Sequence, residues 1–316
     1  MLGGHLRQRA DQHRARALRA PRRTLSACGE ELELGARPWL MGIVNASPDS
    51  FSDGGLHADL DARVELAGRL LEDGADLIDI GGESATTGAL PVAVEKELEL
   101  VVPLVRAVAG GLGALVSVDT YKPPVAAAAI EAGASIINDV SGLRDPALAD
   151  VCAHSGAALV LMHTRAAPRR RLQDPELYDD VAGEVIEFLG ERIRLALEHG
   201  CRPEQLIVDP GPDFAKTPAQ TVELLRELPR LHELQRPLLL AISRKDFIGA
   251  LNGRPPRERL AGTLAALEHG VECGAHIMRL HDVREAADFL RVRAALSGEL
   301  PVDPQLALQD RLRHER

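Results

Sequence analysis

Residues 74–80 read GADLIDI, and the same pattern returns as GASIIND from Gly133, GAALVLM from Gly156 and GAHIMRL from Gly274. Each glycine stands where a helix would end in the left-handed conformation, and a short aliphatic strand follows it at once. Strands that are almost entirely apolar are typical of parallel sheets covered on both faces. The repeat therefore predicts helix–strand units that share one parallel sheet.

Short aliphatic runs alternate with long amphipathic segments along most of the chain. We predict strands over residues 39–45, 76–81, 115–119, 135–140, 158–163, 206–209, 237–243 and 276–281. Eight βα units predict an α/β fold of the (β/α)8 TIM-barrel type. The alternative is a doubly wound open sheet, which needs a glycine-rich fingerprint after its first strand. That turn reads NASPDSFSDGG here, which favours the barrel.

The two ends of the chain differ from this pattern. Residues 1–22 are rich in arginine and lack a strand pattern, which predicts a disordered basic tail or a start assigned too early; a transit peptide is a further alternative. Polar and apolar residues alternate over 23–35, which predicts a short β-hairpin placed to cover the barrel floor. We expect one barrel domain over 23–300 and a C-terminal tail over 301–316.

The composition limits the partners that this chain can have. Its formal net charge is −10 and its aromatic content is 3%. Duplex binding depends on Lys and Arg at phosphates, and single-strand binding depends on aromatic stacking platforms. Nucleic acid is therefore an unexpected partner, and small molecules are favoured.

The cysteines and the hydropathy indicate the cellular compartment of the protein. Cys28, Cys152, Cys201 and Cys273 form no CxxC pair, which is typical of small apolar fillers in a reducing compartment. The sequence contains no apolar run of the ~18 residues that a spanning helix needs, and no secretory signal. We expect a cytoplasmic protein without a membrane partner.

Polar residues concentrate at the carboxyl ends of the predicted strands, where TIM barrels place their active sites. Asp119, Asn138 and Asp209 supply acceptors for a flat ligand edge rich in N–H donors. Arg279 and His281 on the last strand, beside Asn45 on the first, suit an anion that carries Mg²⁺. The chain contains neither the HExxH zinc motif nor the GxSxG elbow of serine hydrolases. Taken singly, each residue could instead cap a helix or satisfy a local hydrogen bond.

Nine motifs in order resemble the dihydropteroate synthase family over residues 23–298. They are MGIVNASPDSFSDGG from Met41, GADLIDIGGES from Gly74, VSVDTYK from Val116, AGASIINDVSG from Ala132, LMHTR from Leu161, VDPG from Val208, SRKDFIG from Ser243, RLAGT from Arg259 and RLHDV from Arg279. The resemblance implies a transferase that joins 6-hydroxymethyl-7,8-dihydropterin pyrophosphate to 4-aminobenzoate, releasing pyrophosphate and 7,8-dihydropteroate for folate synthesis. It also implies Mg²⁺ and a homodimer that pairs through outer helices.

Site roles follow from the same resemblance, residue by residue. Asp119, Asn138, Asp209 and Lys245 would hold the pterin. Asn45 would ligate Mg²⁺ at the pyrophosphate, and Arg279 with His281 would hold that leaving group. The resemblance implies a catalytic set of Asp119, Asp209, Lys245, Arg279 and His281. Phe51, Thr86 and Asp246 would lie on the aminobenzoate side.

Three loops depart from the family pattern, all on the aminobenzoate side. GGESTRPG is here GGESATTG, so that Ala85, Thr86 and Thr87 replace Thr, Arg and Pro. SRKSF is here SRKDF, which puts Asp246 where a serine would meet the aminobenzoate carboxylate; DPGIGFGKT becomes DPGPDFAKT, a milder change. Asp246 either repels that carboxylate, unless Arg or a proton intervenes, or caps its own helix. Arginines between Arg165 and Arg171 could restore the missing charge or form a solvated loop.

These departures leave two alternatives to an active synthase. One is a relative that retains the pterin pocket and has a binding or regulatory role. The other is a pterin-dependent methyltransferase that works with a corrinoid protein, against which the joint presence of SRKDFIG and RLHD argues.

Overall fold

Eight parallel strands form a closed barrel in the computed structural model, which describes residues 20–46, 60–83, 92–168 and 170–313. In chain order these strands are β3 (Trp39–Asn45), β4 (Leu77–Gly81), β5 (Val116–Asp119), β6 (Ile136–Asp139), β7 (Ala158–Met162), β8 (Leu206–Asp209), β9 (Leu239–Ala241) and β10 (Ile277–Leu280). Sheet neighbours run from β8 back to β3, then to β10 and β9. A parallel bridge between Val208 and Leu238 joins β8 to β9 and closes the ring. The predicted TIM barrel is confirmed.

Nine α-helices of the described residues surround the strands. They are α1 (Leu60–Glu72), α2 (Val94–Arg106), α3 (Pro123–Glu131), α4 (Ala147–Ser155), α5 (Val181–Glu198), α6 (Pro218–Arg226), α7 (Asp246–Asn252), α8 (Leu260–Glu272) and α9 (Val283–Ser297). Short 3-10 segments lie at Pro203–Gln205, Leu228–Leu234, Pro256–Glu258 and Asp310–Leu312, and a π-helical turn lies at Ala107–Gly111. The helices bury their apolar faces against the sheet, in the larger of two core clusters.

The predicted helix exits are confirmed, because Gly74, Gly133, Gly156 and Gly274 all have positive φ. At Gly133 φ is 117°, and an added Cβ would lie 2.9 Å from the Cβ of Ala109. Only glycine fits there without a shift of the neighbouring turn. The predicted strand over 237–243 is shorter in the structure because Pro237 lacks an N–H and Arg244 already has a φ of 56°.

The predicted hairpin is also confirmed. Strands β1 (Arg23–Ala27) and β2 (Glu30–Leu34) pair antiparallel, and Leu25, Ala27 and Leu34 join the core cluster inside the barrel. Burying each leucine contributes about 2 kcal/mol. The Cys28 amide, in the hairpin turn, donates to the carbonyl of Gly156 at 2.7 Å and fixes the hairpin to the barrel floor.

Other expectations concern the ends and the cysteines. Residues 1–19 lie outside the described part, so the basic tail and the domain limits stay predictions. Cys152, Cys201 and Cys273 are buried as expected, whereas Cys28 is exposed because it lies in the hairpin turn. Within the described ranges, no helix has both the length and the apolar character needed to cross a bilayer.

Candidate active site

The alternation of side chains along the strands selects which polar residues face the barrel interior. Met41, Leu77, Ile136, Ile207 and Ile277 belong to the interior core cluster. Side chains on a strand alternate between faces, so residues two or four positions further along point inward at the mouth. The inward set at the mouth is Asn45, Asp79, Asp119, Asn138, Asp209, Ser243, Arg279 and His281. It contains every strand-borne residue for which we predicted a role.

Asp79, on β4, is the most buried carboxylate of this set and has partners on β5, β6 and β10. It is fully buried and accepts from Arg279 Nε at 2.6 Å, Ser117 Oγ at 2.7 Å and Asn138 Nδ2 at 3.3 Å. A buried carboxylate needs such donors because desolvation of an unpaired charge is costly. We assigned Asp79 no role from the sequence. The signal that could have found it is an acid two residues before the end of an otherwise aliphatic, inward-facing strand.

Asp119 shares the guanidinium of Arg279 with Asp79. The distance from Arg279 Nη2 to Asp119 Oδ2 is 3.2 Å. Burial raises the pKa of Asp119 from 3.8 to about 7, although Arg279 acts in the opposite direction. The structure thus brings Asp119, predicted to hold the pterin, into direct contact with Arg279, predicted to hold the pyrophosphate.

Asp209 ends β8 with its carboxylate held by the following turn. Its Oδ1 accepts from the amide of Gly211 at 2.8 Å. Burial raises its pKa to about 6, opposed by that amide and by Lys245 and Lys216. A carboxylate held this way presents its second oxygen in a fixed direction, which suits recognition of a donor edge.

Lys216 is a buried lysine that we did not predict to act at the site. Its Nζ contacts His163 Nδ1 at 2.8 Å and donates to the carbonyls of Gly211 at 3.0 Å and Phe214 at 3.1 Å. Burial lowers the pKa of Lys216 to about 7 and that of His163 to about 2. His163 faces outward, where it packs against the ring of Phe188, so it reaches the site only through this lysine. Lys216 therefore shapes the loop after β8.

His281 on β10 is held by a serine of the neighbouring strand. Its Nδ1 lies 2.9 Å from Ser243 Oγ, which also accepts from the His281 amide at 3.1 Å. Burial, followed by the charges of Arg244 and Arg279, lowers the pKa of His281 to about 3. With the serine hydroxyl donating to Nδ1, the neutral ring carries its proton on Nε2 and can donate it to an anion.

Lys245 and Phe214 form one wall of the mouth. The ammonium lies 4.4 Å from the centre of the ring, a cation–π contact, and burial lowers the pKa of the lysine. Both residues line a cleft of about 300 Å³. Its lining also includes Asp119, Asp213, Asp246, Arg170 and Arg171. A cleft of this size suits a small aromatic molecule beside the inward set.

The start of α7 differs from one of the two predictions for Asp246. Lys245 is its N-cap residue, and the Asp246 carboxylate makes no cap bond but pairs with Arg259 Nη1 at 3.1 Å. The acceptor at this helix end is Asp213, whose Oδ2 accepts from the amides of Asp246 at 2.6 Å and Phe247 at 3.3 Å. The alternative in which Asp246 caps its own helix is therefore wrong.

The remaining predicted residues divide by position. Arg170 and Arg171 line the cleft, whereas Arg165 turns away to Glu184 and the carbonyl of Leu177. Phe51 and Thr86, with Ala85 and Thr87, lie outside the described residues. Their placement on the aminobenzoate side stays a prediction.

Comparison with known proteins agrees with this geometry. Residues 41–281 match the model of the pterin binding enzyme family, which defines the chain as a pterin-binding TIM barrel. The dihydropteroate synthase of Escherichia coli (strain K12) is 41% identical over 276 residues, which are 87% of this chain and 97% of that protein. The chain belongs to the dihydropteroate synthase family.

Solved structures are similar over the same range. The dihydropteroate synthase of Xanthomonas albilineans with 4-aminobenzoic acid is 44% identical, with a TM-score of 0.80 over 89% of this chain and 100% of that one. The same enzyme in complex with 7,8-dihydropteroate is 43% identical with a TM-score of 0.77, covering 89% of this chain and 100% of that one.

Proposed function

We propose that this chain is a dihydropteroate synthase, a transferase that condenses 6-hydroxymethyl-7,8-dihydropterin pyrophosphate with 4-aminobenzoate. The products are 7,8-dihydropteroate and pyrophosphate. The observation that carries the proposal is the inward set at the mouth, in which Asp119, Asn138 and Asp209 offer acceptors near the cation Arg279. Lys245 lies on the wall of the adjoining cleft. The similarity to synthases along almost the whole barrel supports the same reaction.

The acceptors suit the amino-pyrimidinone edge of a pterin. Asp209 would take a pair of ring and exocyclic N–H groups, since its carboxylate is oriented by the Gly211 amide. Asn138 can both accept and donate, and Lys245 would donate to a ring carbonyl or nitrogen. Low solvent access around these groups strengthens each hydrogen bond.

The pyrophosphate would lie at Asn45, Arg279 and His281. Neutral His281 would donate from Nε2, and the Arg279 guanidinium would supply the positive charge that stabilises the departing oxygen. In the step itself, the aryl amine nitrogen forms a bond to the pterin methylene carbon as the carbon–oxygen bond breaks. The electron pair leaves with pyrophosphate, and the nitrogen loses one proton. Nothing in this step needs a covalent link to the protein.

Magnesium fits the donor set at this end of the mouth. Mg²⁺ takes oxygen ligands and is commonly bound by one or two protein groups together with phosphate oxygens and water. The Asn45 side chain is such a donor, and its Oδ1 lies close to Gly81 on the neighbouring strand, at the rim where the anion would lie. When bound, the ion would neutralise the leaving group.

The cleft beside Phe214 would receive 4-aminobenzoate, with Arg170 and Arg171 as the nearby cations. Phe51 and Thr86 are further candidates on this side. Asp246 would contribute little, because its charge is directed to Arg259.

A homodimer and a cytoplasmic location are also proposed. Val292 and Leu296 lie one turn apart on α9 and are 58% and 85% exposed, an apolar face suited to a second copy. The four free thiols suit a reducing compartment. Sedimentation and cell fractionation test the two proposals.

Complementation tests the function. The gene is expected to restore growth without added folate products to a strain that lacks the synthase, and Asp209→Ala is expected to abolish the rescue. Asp180→Asn is the matched control because Asp180 caps α5 on the outside of the barrel. Failure of the soluble wild-type protein to rescue would overturn the proposal in favour of a pterin-binding protein with another role.

A further inference from the structure

Asp213, in the loop after β8, accepts hydrogen bonds at both of its carboxylate oxygens. Its Oδ2 accepts from the two α7 amides, and its Oδ1 accepts from Thr221 Oγ1 at 3.1 Å. The Asp213 amide in turn donates to Thr221 Oγ1 at 3.1 Å. The residue thus connects the loop after β8, the start of α6 and the start of α7. Nothing in the reaction described above uses it.

The backbone at Asp213 is in the left-handed region, with a φ of 66°. Among residues with a Cβ, Asp and Asn tolerate this conformation best. The conformation brings the carboxylate beneath α7 while Phe214 and Lys245, its neighbours on either side of the contact, line the cleft. The loop therefore holds the carboxylate on the cleft wall.

Asp213 also acts on the cation of that wall. Among the charges around Lys245, Asp213 has the largest effect on its pKa, ahead of Asp209. Asp246 is different, because its side chain is 65% exposed and is paired with Arg259. Of the two aspartates that line this end of the cleft, Asp246 pairs with an arginine, whereas Asp213 is held by backbone amides and a hydroxyl.

We propose that Asp213 is a specificity-determining residue for the amine substrate. Its carboxylate takes the two backbone donors at the start of α7, partly neutralises Lys245, and places negative charge on the cleft wall. The chain therefore penalises an amine that carries a carboxylate relative to a neutral amine of the same shape. This inference rests on the proposed function.

Steady-state pyrophosphate release tests it with two amines, 4-aminobenzoate and its neutral analogue 4-aminobenzamide. Asp213→Asn keeps one acceptor oxygen for the α7 amides and a residue suited to positive φ. It removes the charge and replaces the oxygen that accepts from Thr221 by an amide donor. We expect kcat/KM for 4-aminobenzoate to rise about three- to tenfold through a lower KM, as expected for removal of one nearby charge. With 4-aminobenzamide we expect a change of less than about twofold.

Two further variants complete the design. Asp180→Asn removes a cap carboxylate outside the cleft and should leave the ratio between the two amines unchanged. Asp213→Gly suits the same φ and should shift the ratio in the direction of Asp213→Asn.

The outcomes distinguish a failure of the inference about Asp213 from a failure of the proposed function. If Asp213→Asn changes both amines by the same factor, or neither, the residue is only structural and the inference is overturned while the function stands. If the wild-type protein binds the pterin but releases no pyrophosphate with either amine, the proposed function falls and the inference with it.

Discussion

The two sides of the barrel mouth are built differently. The side that we propose to hold the pterin consists of strand-borne groups in a buried network, in which Asp79 and Asp119 share Arg279 across β4, β5 and β10. The side that we propose to hold the amine consists of loop residues, with Asp213 and Phe214 held by contacts between the loops after β8 and β9. Lys245, which would donate to the pterin, borders this side through its contact with Phe214. The two departures that the structure describes, at Asp213 and Asp246, fall on the loop-built side. The third, at Ala85, Thr86 and Thr87, lies outside the described residues.

The difference has a physical reason. An interior charge network tolerates few substitutions, because losing one partner leaves the others buried without compensation. Loops at the mouth can exchange one acceptor for another while the barrel remains unchanged. We therefore expect substitutions on the pterin side to cost more than substitutions on the amine side.

The largest expected effect comes from Asp79→Ala. This change leaves Arg279 without its deepest partner, and we expect the free energy of unfolding to fall by about 3–5 kcal/mol. Urea unfolding followed by circular dichroism measures it. Glu99→Ala, at an exposed pair with Lys96, is the control and should cost less than about 0.5 kcal/mol. A similar small loss for Asp79→Ala would remove the contrast between the two sides.

The next effect is on pterin binding. Asp209→Asn replaces an oriented acceptor by a group with mismatched donors, and we expect affinity for the pterin to weaken by about 2–3 kcal/mol. Calorimetric titration measures the change. Asp246→Ser, at a carboxylate that pairs with Arg259, should leave this affinity as it is. Equal losses in both variants would contradict a division into two sides.

A pH dependence follows from Asp119, whose folded-state pKa is raised from 3.8 to about 7. Between these values the folded protein retains a proton that the unfolded chain has lost. The stabilising contribution is therefore complete below about pH 4 and is lost as the pH rises through 7. The difference in unfolding free energy between wild type and Asp119→Asn should decline over that window, by up to about 1.4 kcal/mol per pH unit. A difference that does not vary with pH would contradict the raised pKa.

The smallest expected effect is that of Asp246→Ser. Since this carboxylate pairs with Arg259, we expect the KM for 4-aminobenzoate to change by less than about twofold. Initial-rate kinetics measure this KM, and a KM lowered more than about threefold would show that Asp246 repels the substrate.

Much of the fold and part of the site could be predicted from the sequence. Glycines that end helices, each followed by an aliphatic run, predict the strands of the barrel. The alternation of side chains along those strands is enough to place Asp119, Asn138, Asp209, Arg279 and His281 around one mouth. The roles of these residues in catalysis stay predictions.

Contacts between distant segments could not be predicted. Asp79 pairs with a residue 200 positions away, and periodicity carries no information on such pairing. Similarly, the sequence points to the change at Asp246, because Asp246 stands where the family's serine would meet the aminobenzoate carboxylate. The acceptor at that helix comes instead from Asp213, 33 residues earlier, in the loop whose change seemed milder. Which carboxylate reaches a helix end depends on loop conformation, here a positive φ at Asp213.

The most direct measurement of the central claim is pyrophosphate release by the purified protein with pterin pyrophosphate and Mg²⁺, with and without 4-aminobenzoate. A release that depends on 4-aminobenzoate is the predicted result, and it would establish that the altered loops still serve the synthase reaction. Intact pterin binding without any stimulation by 4-aminobenzoate would contradict it, and would assign this barrel a different second substrate or a binding role.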